Sequence, residues 1–252
     1  MTHKTHIFPY LLAGGLGERL SPLSTEEKPK QFLPLISGQS MIDETLGRLK
    51  GTGYQPASII TNIAHKDIMA PYENVIFETE RKGTAFAIQT AAHDALKKDE
   101  RAKILILPCD HYIEDPQKLH DAITLAAGQP LSVFGVKPDT PETGYGYIQK
   151  GRQISAEVYE VCAFKEKPDQ KTAETYVQEG SYFWNAGIFL FDAGAILDEI
   201  NLYAPDLEKQ KTSIDYAVLE KSDRLHMVQL KTYWRDLGSI NALDEVKAKI
   251  SA

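Results

Sequence analysis

The sequence from Ile7 to Gly17 is Ile-Phe-Pro-Tyr-Leu-Leu-Ala-Gly-Gly-Leu-Gly. Its first six residues form a short apolar run, and a glycine cluster follows at once. This order is typical of the first strand of a nucleotide-binding α/β sheet. Because glycine has no side chain, the backbone N–H groups of such a loop can approach an anion closely. We therefore predict a nucleotide-binding loop that includes Ala13, Gly14, Gly15 and Gly17.

The loop differs from two other phosphate-binding motifs. Leu20 stands where a dinucleotide fingerprint has its third glycine, and no Gly-Lys-Ser/Thr closes the loop as in a Walker motif. Arg19 offers a fixed fork of donors for phosphate oxygens, and the alternative is an exposed arginine in a tight turn. Pro29 restricts the directions open to Lys30, which is either a second phosphate-binding cation or part of a solvated basic turn.

Strands and helices alternate from this loop through the first half of the chain. Strands are predicted over 57–61, 74–77, 103–107 and 131–136. Helices are predicted from Ser40, a candidate N-cap, to about Lys50 and over 83–98. Such alternation implies a parallel, doubly wound sheet.

The pattern changes beyond residue 136. Residues 145–150 and 158–165 are predicted to be paired strands, followed by a helix and a strand over 185–191. The predicted fold class is α/β, a Rossmann-like doubly wound mixed sheet with a small β-rich insertion over the sheet's C-terminal edge. We expect one domain over 1–252, with halves 1–136 and 137–238 and a C-terminal helix over 239–252.

Composition excludes several classes of partner. The formal net charge of -7 gives no general attraction for polyanions, so we expect no nucleic acid and only a few focused phosphate-binding cations.

Cys109 and Cys162 are expected to be buried free thiols, which suits a reducing cytosol. No apolar run approaches the roughly 18 residues of a membrane span, and residues 1–6 contain no signal-like segment. We expect a cytoplasmic protein without membrane contact.

Longer blocks of sequence carry a resemblance to a known family. Between Leu12 and Leu33 the chain has Leu-Ala-Gly-Gly-x-Gly-x-Arg-Leu-x-Pro-Leu-Ser and then Pro-Lys-Gln-Phe-Leu. These blocks closely resemble the signature of the sugar-nucleotide pyrophosphorylases, specifically the bacterial mannose-1-phosphate guanylyltransferases. Six further blocks resemble that family in the family's own order, and they begin at Leu107, Thr143, Phe164, Trp184, Ser213 and Trp234.

The resemblance implies an activity and a set of site residues. The activity is transfer of a nucleotidyl group from GTP to mannose 1-phosphate, giving GDP-mannose and pyrophosphate, with Mg²⁺ as cofactor. The residues implied are Asp110 and Asp236 for the metal; Arg19, Lys30 and Asp110 for catalysis; and Gly146, Glu166, Lys167 and Asn185 for the sugar phosphate. By the same likeness the nucleotide binds to the first half of the chain.

The residues themselves support the metal site. Asp110 follows an apolar strand at the edge where open α/β sheets bind ligands, and hard carboxylate oxygens suit Mg²⁺. A turn or helix cap is the alternative role for a lone aspartate in that position. We expect His111 to be structural, because an already ionised phosphate needs no base.

The segment expected to recognise the base departs from the family. Where the family has Glu-Pro-x-x-Arg-Asn-Thr-Ala-Pro-Ala, this chain has Glu-Thr-Glu-Arg-Lys-Gly-Thr-Ala-Phe-Ala from Glu78 to Ala87. Lys82 thus replaces the arginine and Gly83 the asparagine. We expect Glu78, Lys82, Gly83 and Thr84 to bind the nucleotide, with GTP preferred but less strictly than in relatives that have Arg-Asn.

Several alternatives stay open at this point. The chain could use UTP or dTTP with another hexose 1-phosphate, or it could be a non-catalytic sugar-nucleotide sensor. A sensor should have lost its cations or metal carboxylates, yet Arg19, Lys30, Asp110 and Asp236 are all present. A glycosyltransferase normally has a pair of nearby acids for its metal, and Asp110-His-Tyr supplies one.

The C-terminal part is shorter than in the longer guanylyltransferases. After Gly238 only a helix-like tail remains, where those proteins continue into a β-helix or an isomerase domain. We therefore expect a stand-alone catalytic unit without a C-terminal β-helix. Its oligomeric state is left open, with a homodimer as the candidate.

Overall fold

The structure, a computed structural model, describes residues 6–251. Residues 1–5 and residue 252 lie outside the described residues. The expectation that residues 1–6 contain no signal segment therefore concerns mostly residues that are not described. The strands are β1 (Ile7–Leu12), β2 (Ser58–Asn62), β3 (Val75–Glu78), β4 (Lys103–Pro108), β5 (His111–Ile113), β6 (Leu131–Val136), β7 (Tyr147–Ser155), β8 (Val158–Lys165), β9 (Tyr182–Asp192), β10 (His226–Gln229) and β11 (Trp234–Asp236). The α-helices are α1 (Met41–Arg48), α2 (Thr84–Lys98), α3 (Pro116–Ala126), α4 (Gln170–Glu179), α5 (Ala193–Tyr203) and α6 (Ile240–Ile250). None of these helices is both long and apolar enough to cross a membrane.

One mixed sheet of nine strands organises the molecule, in the order β3-β2-β1-β4-β9-β6-β10-β8-β7. Strands β3, β2, β1 and β4 are parallel, which confirms the doubly wound first half. Strand β9 runs antiparallel between β4 and β6. Because β9 comes from the second half of the chain, the two halves are interleaved in one sheet.

The strands after residue 136 extend this sheet and do not form a separate layer over its edge. Strands β7 and β8 pair as expected, and they join the sheet through β9 and β10. Most side chains of β9 are buried on both faces. A strand with two apolar faces is stable only where helices cover both sides, which requires a central position. Strand β10 has only four residues and was not predicted.

The side chains of the central strands alternate between two apolar layers. On β4, Ile104 and Ile106 lie in one layer, and Leu105 and Leu107 lie in the other. Helices α2 and α5 cover the first layer, whereas α1 and α3 contribute to the second. Each fully buried Leu or Ile contributes about 1.5–3 kcal/mol of transfer free energy. The two layers hold the sheet rigidly beneath the loops at its carboxyl edge.

A second, two-stranded sheet lies beside the main one. Its strands β5 and β11 are antiparallel and have three residues each, with Asp236 opposite His111. The amide of Leu237 also donates to the carbonyl of Asp110 at 2.9 Å. This short pairing brings Asp110 and Asp236 together from distant parts of the chain.

The two cysteines differ in burial. Cys109 is buried after β4, whereas Cys162 on β8 is exposed, so the expectation of two buried thiols is wrong for Cys162. Only two of the eight side chains of β8 are buried, and Cys162 is one of the two that are exposed. Both thiols are free, as expected.

Candidate functional site

Two cavities open at the carboxyl ends of the parallel strands. The larger has a volume of about 630 Å³, and the predicted residues in its lining are Gly14, Gly15, Gly17, Arg19, Lys30, Glu78, Gly83, Thr84 and Asp110. The smaller has a volume of about 180 Å³, and its lining includes Gly146, Glu166, Lys167, Asn185 and Asp236. The structure therefore separates the residues expected to bind the nucleotide from those expected to bind the sugar phosphate.

The two cavities meet at a pair of carboxylates. Leu12, Thr84 and Pro108 line both cavities, Asp110 lines the larger and Asp236 the smaller. One potential ligand atom each from Asp110, His111 and Asp236 lies within 4.8 Å of the others. The two cavities therefore adjoin along Leu12, Thr84 and Pro108, with one carboxylate of the pair in the lining of each.

Ala13 lies beneath the glycine loop and does not line either cavity. Its side chain is buried, and its carbonyl accepts hydrogen bonds from Gln31 Nε2 at 2.7 Å and Thr61 Oγ1 at 2.8 Å. These two bonds fix the start of the loop. Sequence reasoning missed Gln31 and Thr61, although Gln31 stands inside the quoted Pro-Lys-Gln-Phe-Leu block.

Gly17 lets the loop pack against Lys30. Its φ is +72°, and a Cβ there would lie 2.6 Å from Ser24 Oγ and 2.9 Å from Lys30 Cβ. Such distances are shorter than van der Waals contact, so only glycine fits without movement. The contact holds the side chain of Lys30 between the loop and Asp110.

Two cations, Lys30 and Arg19, accompany the carboxylate pair. Lys30 is largely buried and forms an ion pair with Asp110. Burial lowers the pKa of Lys30, but the attraction of Asp110 and Asp236 outweighs it and the net shift is upward, so Lys30 stays cationic. Arg19 is more exposed, and its guanidinium lies 3.9 Å from Asp236 Oδ2.

The carboxylate pair fits a hard divalent cation. Burial, and then repulsion from Asp110, raise the pKa of Asp236. Burial acts in the same direction on Asp110, but the ion pair with Lys30 keeps its pKa lowered. Asp236 Oδ1 is buried and has no hydrogen-bond partner among residues 6–251. A buried, unpaired carboxylate oxygen is costly, and a bound Mg²⁺ would satisfy it.

His111 supports the site without offering it a ligand. Trp234 Nε1 lies 3.2 Å from His111 Nδ1, and an indole N–H can only donate, so Nδ1 accepts. Burial lowers the pKa of His111 to about 4, so the ring is neutral at pH 7 and carries its proton on Nε2. Neither ring nitrogen then has a free lone pair, which agrees with the structural role expected for His111.

Hydrogen bonds order the smaller cavity. Lys167 Nζ donates to Glu166 Oε1 at 2.5 Å, and Asn185 Nδ2 donates to Asp215 Oδ1 at 2.9 Å. The Asn185 side-chain oxygen accepts from the Gly187 amide at 3.0 Å. A Cβ at Gly146 would lie 2.6 Å from Glu166 Oε2, so this glycine allows the carboxylate its position.

Asp215 is a further lining residue to which sequence reasoning gave no role. It begins the π-helical turn Asp215–Leu219 and faces the smaller cavity. Burial, and then repulsion from Glu166, raise its pKa. The block that begins at Ser213 was the available signal, since it resembles a family block. The lining of the smaller cavity thus contains three carboxylates, those of Glu166, Asp215 and Asp236, and one lysine.

Lys82 does not line the larger cavity, contrary to its expected place. Its Nζ lies 3.5 Å from Glu80 Oε2 and 4.9 Å from the centre of the Phe86 ring. Arg81 lines the cavity instead, together with Lys211. The phenylalanine that replaces the family's proline attracts the Lys82 ammonium over its ring face, away from the cavity. Neither Arg81 nor Lys211 was predicted.

Gly83 cannot carry a side chain in this structure, and we predict that Gly83→Ala is destabilising. Its φ is +93°, and a Cβ would lie 2.3 Å from the carbonyl oxygen of Thr212. Backbone strain of this kind costs about 1–3 kcal/mol. Urea denaturation should show that loss for Gly83→Ala and a change below about 0.5 kcal/mol for the control Gly14→Ala, where a Cβ meets nothing within 4 Å. Equal stability of the two variants would contradict the left-handed conformation of this loop.

A family model and curated relatives match almost the whole chain. The family model described as nucleotidyl transferase matches residues 8–252. A mannose-1-phosphate guanylyltransferase from Klebsiella pneumoniae is 36% identical over 96% of this chain, and the match covers 60% of that protein. The chain thus spans about 60% of the length of the curated relatives that it matches.

Solved structures share the fold. One from Thermus thermophilus, described as a mannose-1-phosphate geranyltransferase, has a TM-score of 0.89 and 31% identity, covering 97% of this chain and 80% of that one. A UDP-glucose pyrophosphorylase complexed with UDP-glucose has a TM-score of 0.73 over 98% of this chain and 99% of that one. At 19% identity, the second likeness bears on the fold alone.

Proposed function

The chain belongs to the nucleotidyl transferase family, and on that premise we propose that it transfers the guanylyl group of GTP to mannose 1-phosphate. The products are GDP-mannose and pyrophosphate, and Mg²⁺ is the cofactor. One observation carries the proposal: two adjoining cavities have different linings, and each contributes one acid of the close pair Asp110 and Asp236. The choice of mannose 1-phosphate and GTP is supported by the names of relatives such as the Klebsiella pneumoniae protein.

The larger cavity suits a nucleoside triphosphate. Its volume of about 630 Å³ lies in the usual range for small-molecule sites. Its glycine loop offers backbone N–H groups, and the first residue of α2, Thr84, also lines it, so a helix N-terminus favours negative charge there. Lys30 and Arg19 supply the focused cations that an acidic protein needs to bind phosphates.

The smaller cavity suits a sugar phosphate. The carboxylates of Glu166 and Asp215 accept hydrogen bonds, which sugar hydroxyls can donate. Lys167 supplies a cation for the phosphate, and the bond from Asn185 fixes the carboxylate of Asp215. The carboxylates of Glu166 and Asp215 would therefore accept from the sugar hydroxyls, and the lysine would donate to the phosphate.

Catalysis would consist of positioning and charge neutralisation. An oxygen of the sugar 1-phosphate attacks the α-phosphorus of GTP, a new P–O bond forms, and the bond to the pyrophosphate oxygen breaks. Mg²⁺ held by Asp110 and Asp236 would neutralise phosphate charge as the two anions meet. Lys30 and Arg19 stabilise the negative charge of the departing pyrophosphate. No general base is needed, in agreement with a neutral, fully engaged His111.

A panel of substrates tests the proposal. We expect pyrophosphate release with GTP and mannose 1-phosphate to exceed release with ATP, CTP, UTP or dTTP, and with glucose 1-phosphate as acceptor. The measurement is the specificity constant for each pair at saturating Mg²⁺. A higher constant for UTP or dTTP would overturn the guanylyl assignment, and no release with any pair would overturn the transfer itself.

A further inference from the structure

Two residues that line the larger cavity each have a buried polar atom with no hydrogen-bond partner among the described residues. The two atoms are Glu78 Oε1 and Arg81 Nε. Glu78 is the last residue of β3, and Arg81 follows in the loop that leads into α2. Because buried polar groups are normally paired, an acceptor and a donor left free in one cavity indicate a ligand that supplies both partners.

The charge of Arg81 is also not neutralised by the protein. Within residues 6–251 it forms no ion pair, since the neighbouring Glu80 contacts Lys82 instead. Burial, and then repulsion from the nearby Arg81, lower the pKa of His65. Arg81 thus lies beside a buried neutral ring and lines the cavity as a guanidinium with donors to spare.

Glu78 belongs to the segment already expected to recognise the base; we propose that Arg81 acts with it and that the two side chains together select guanine, an inference that rests on the proposed function. The Glu78 carboxylate accepts from guanine N1–H and N2–H, and the Arg81 guanidinium donates to O6 and N7. Guanine alone among the common bases has two adjacent donors on one edge and the adjacent acceptors O6 and N7 on the next. In uracil and thymine a single ring N–H lies between two carbonyls, which repel a carboxylate.

This pair explains how the chain can recognise guanine without the family's Arg-Asn. The side chain of Lys82 contacts Glu80 and Phe86, and the carbonyl of Thr212 occupies the space that a side chain at Gly83 would need. A guanidinium is supplied instead from Arg81, one residue earlier. We therefore expect a strict preference for GTP, in place of the looser one suggested by the sequence.

Nucleotide analogues that lack single groups test the assignment. 7-Deaza-GTP lacks the N7 acceptor, and ITP lacks the 2-amino donor. Wild type should prefer GTP to each analogue by about 10- to 100-fold in kcat/KM, the usual effect of one hydrogen bond to a charged group. Arg81→Met should lose the discrimination against 7-deaza-GTP and keep that against ITP. Glu78→Gln should lose the discrimination against ITP and keep that against 7-deaza-GTP.

Matched variants and a binding assay complete the test. Lys82→Met removes a neighbouring cation outside the cavity, so it should discriminate between GTP and the two analogues as the wild type does. Arg81→Lys should discriminate only weakly against 7-deaza-GTP, because an ammonium lacks the paired donors of the guanidinium. Calorimetry with GDP and 7-deaza-GDP repeats the comparison without turnover, so a slow variant still gives an answer. If the wild-type protein prefers GTP, and both Arg81→Met and Glu78→Gln discriminate against 7-deaza-GTP and ITP as the wild type does, the inference is wrong while the proposed function stands. If wild type prefers UTP or dTTP, the proposed function fails with it.

Discussion

Asp236→Asn is expected to lower kcat by about 10²- to 10³-fold while leaving the protein folded. Asparagine nearly preserves the shape of the side chain but removes one formal charge from the carboxylate pair. The raised pKa of Asp236, caused by burial and by repulsion from Asp110, means that its ionised form is unfavourable in the folded state. Loss of that charge should therefore keep the stability or raise it slightly.

Steady-state rates at saturating Mg²⁺ and thermal unfolding measure both effects. The rise in melting temperature caused by Mg²⁺ with GTP should shrink in Asp236→Asn and persist in the exposed control Asp206→Asn. Asp110→Asn should lose as much activity, and it should also be less stable because Lys30 would lose its ion-pair partner. Near wild-type turnover in Asp236→Asn would exclude this residue as a metal ligand.

Lys167→Met is expected to reduce kcat/KM for mannose 1-phosphate by about 10²-fold and to leave GTP binding unchanged. Lys167 lines the smaller cavity, and its ammonium contacts Glu166. Burial lowers the pKa of Lys167, but the hydrogen bond with Glu166 outweighs it and the net shift is upward, so the group stays charged. Its removal would leave the lining of the smaller cavity without a lysine or arginine.

Calorimetry with GTP and kinetics with mannose 1-phosphate separate the two substrates. The control is Lys165→Met, because Lys165 is exposed at the end of β8 and lines neither cavity. A Lys167→Met variant that loses GTP affinity but keeps its KM for the sugar phosphate would assign this lysine to the other cavity.

The sequence predicted the strands and helices that are marked by a pattern within their own residues. Apolar runs with clear ends became β1, β4 and β6, and Ser40 caps α1 through a hydrogen bond from the Asp43 amide. The antiparallel place of β9 between β4 and β6 could not be predicted, because an apolar strand does not reveal which neighbours it will have. Strands of three or four residues, such as β5, β10 and β11, are too short for a periodic signal.

The candidate site was predicted mainly through family blocks. The glycine loop, Lys30 and Asp110 follow from position after a strand, whereas the meeting of Asp110 with Asp236 depends on the pairing of β5 with β11. Arg81 was missed because a single exposed-looking arginine in a polar loop has no pattern. Only its place in the lining of the larger cavity and its unpartnered Nε distinguish it from its neighbour Lys82.

Under the proposed function, the two cavities form one transfer site that depends on the metal at the carboxylate pair. The most direct measurement is a product analysis by anion-exchange chromatography after incubation of the wild-type protein with GTP, mannose 1-phosphate and Mg²⁺. We predict GDP-mannose and pyrophosphate in equal amounts, and neither product when EDTA replaces Mg²⁺. Formation of GMP or GDP without GDP-mannose, or equal GDP-mannose formation in EDTA, would contradict the proposed function.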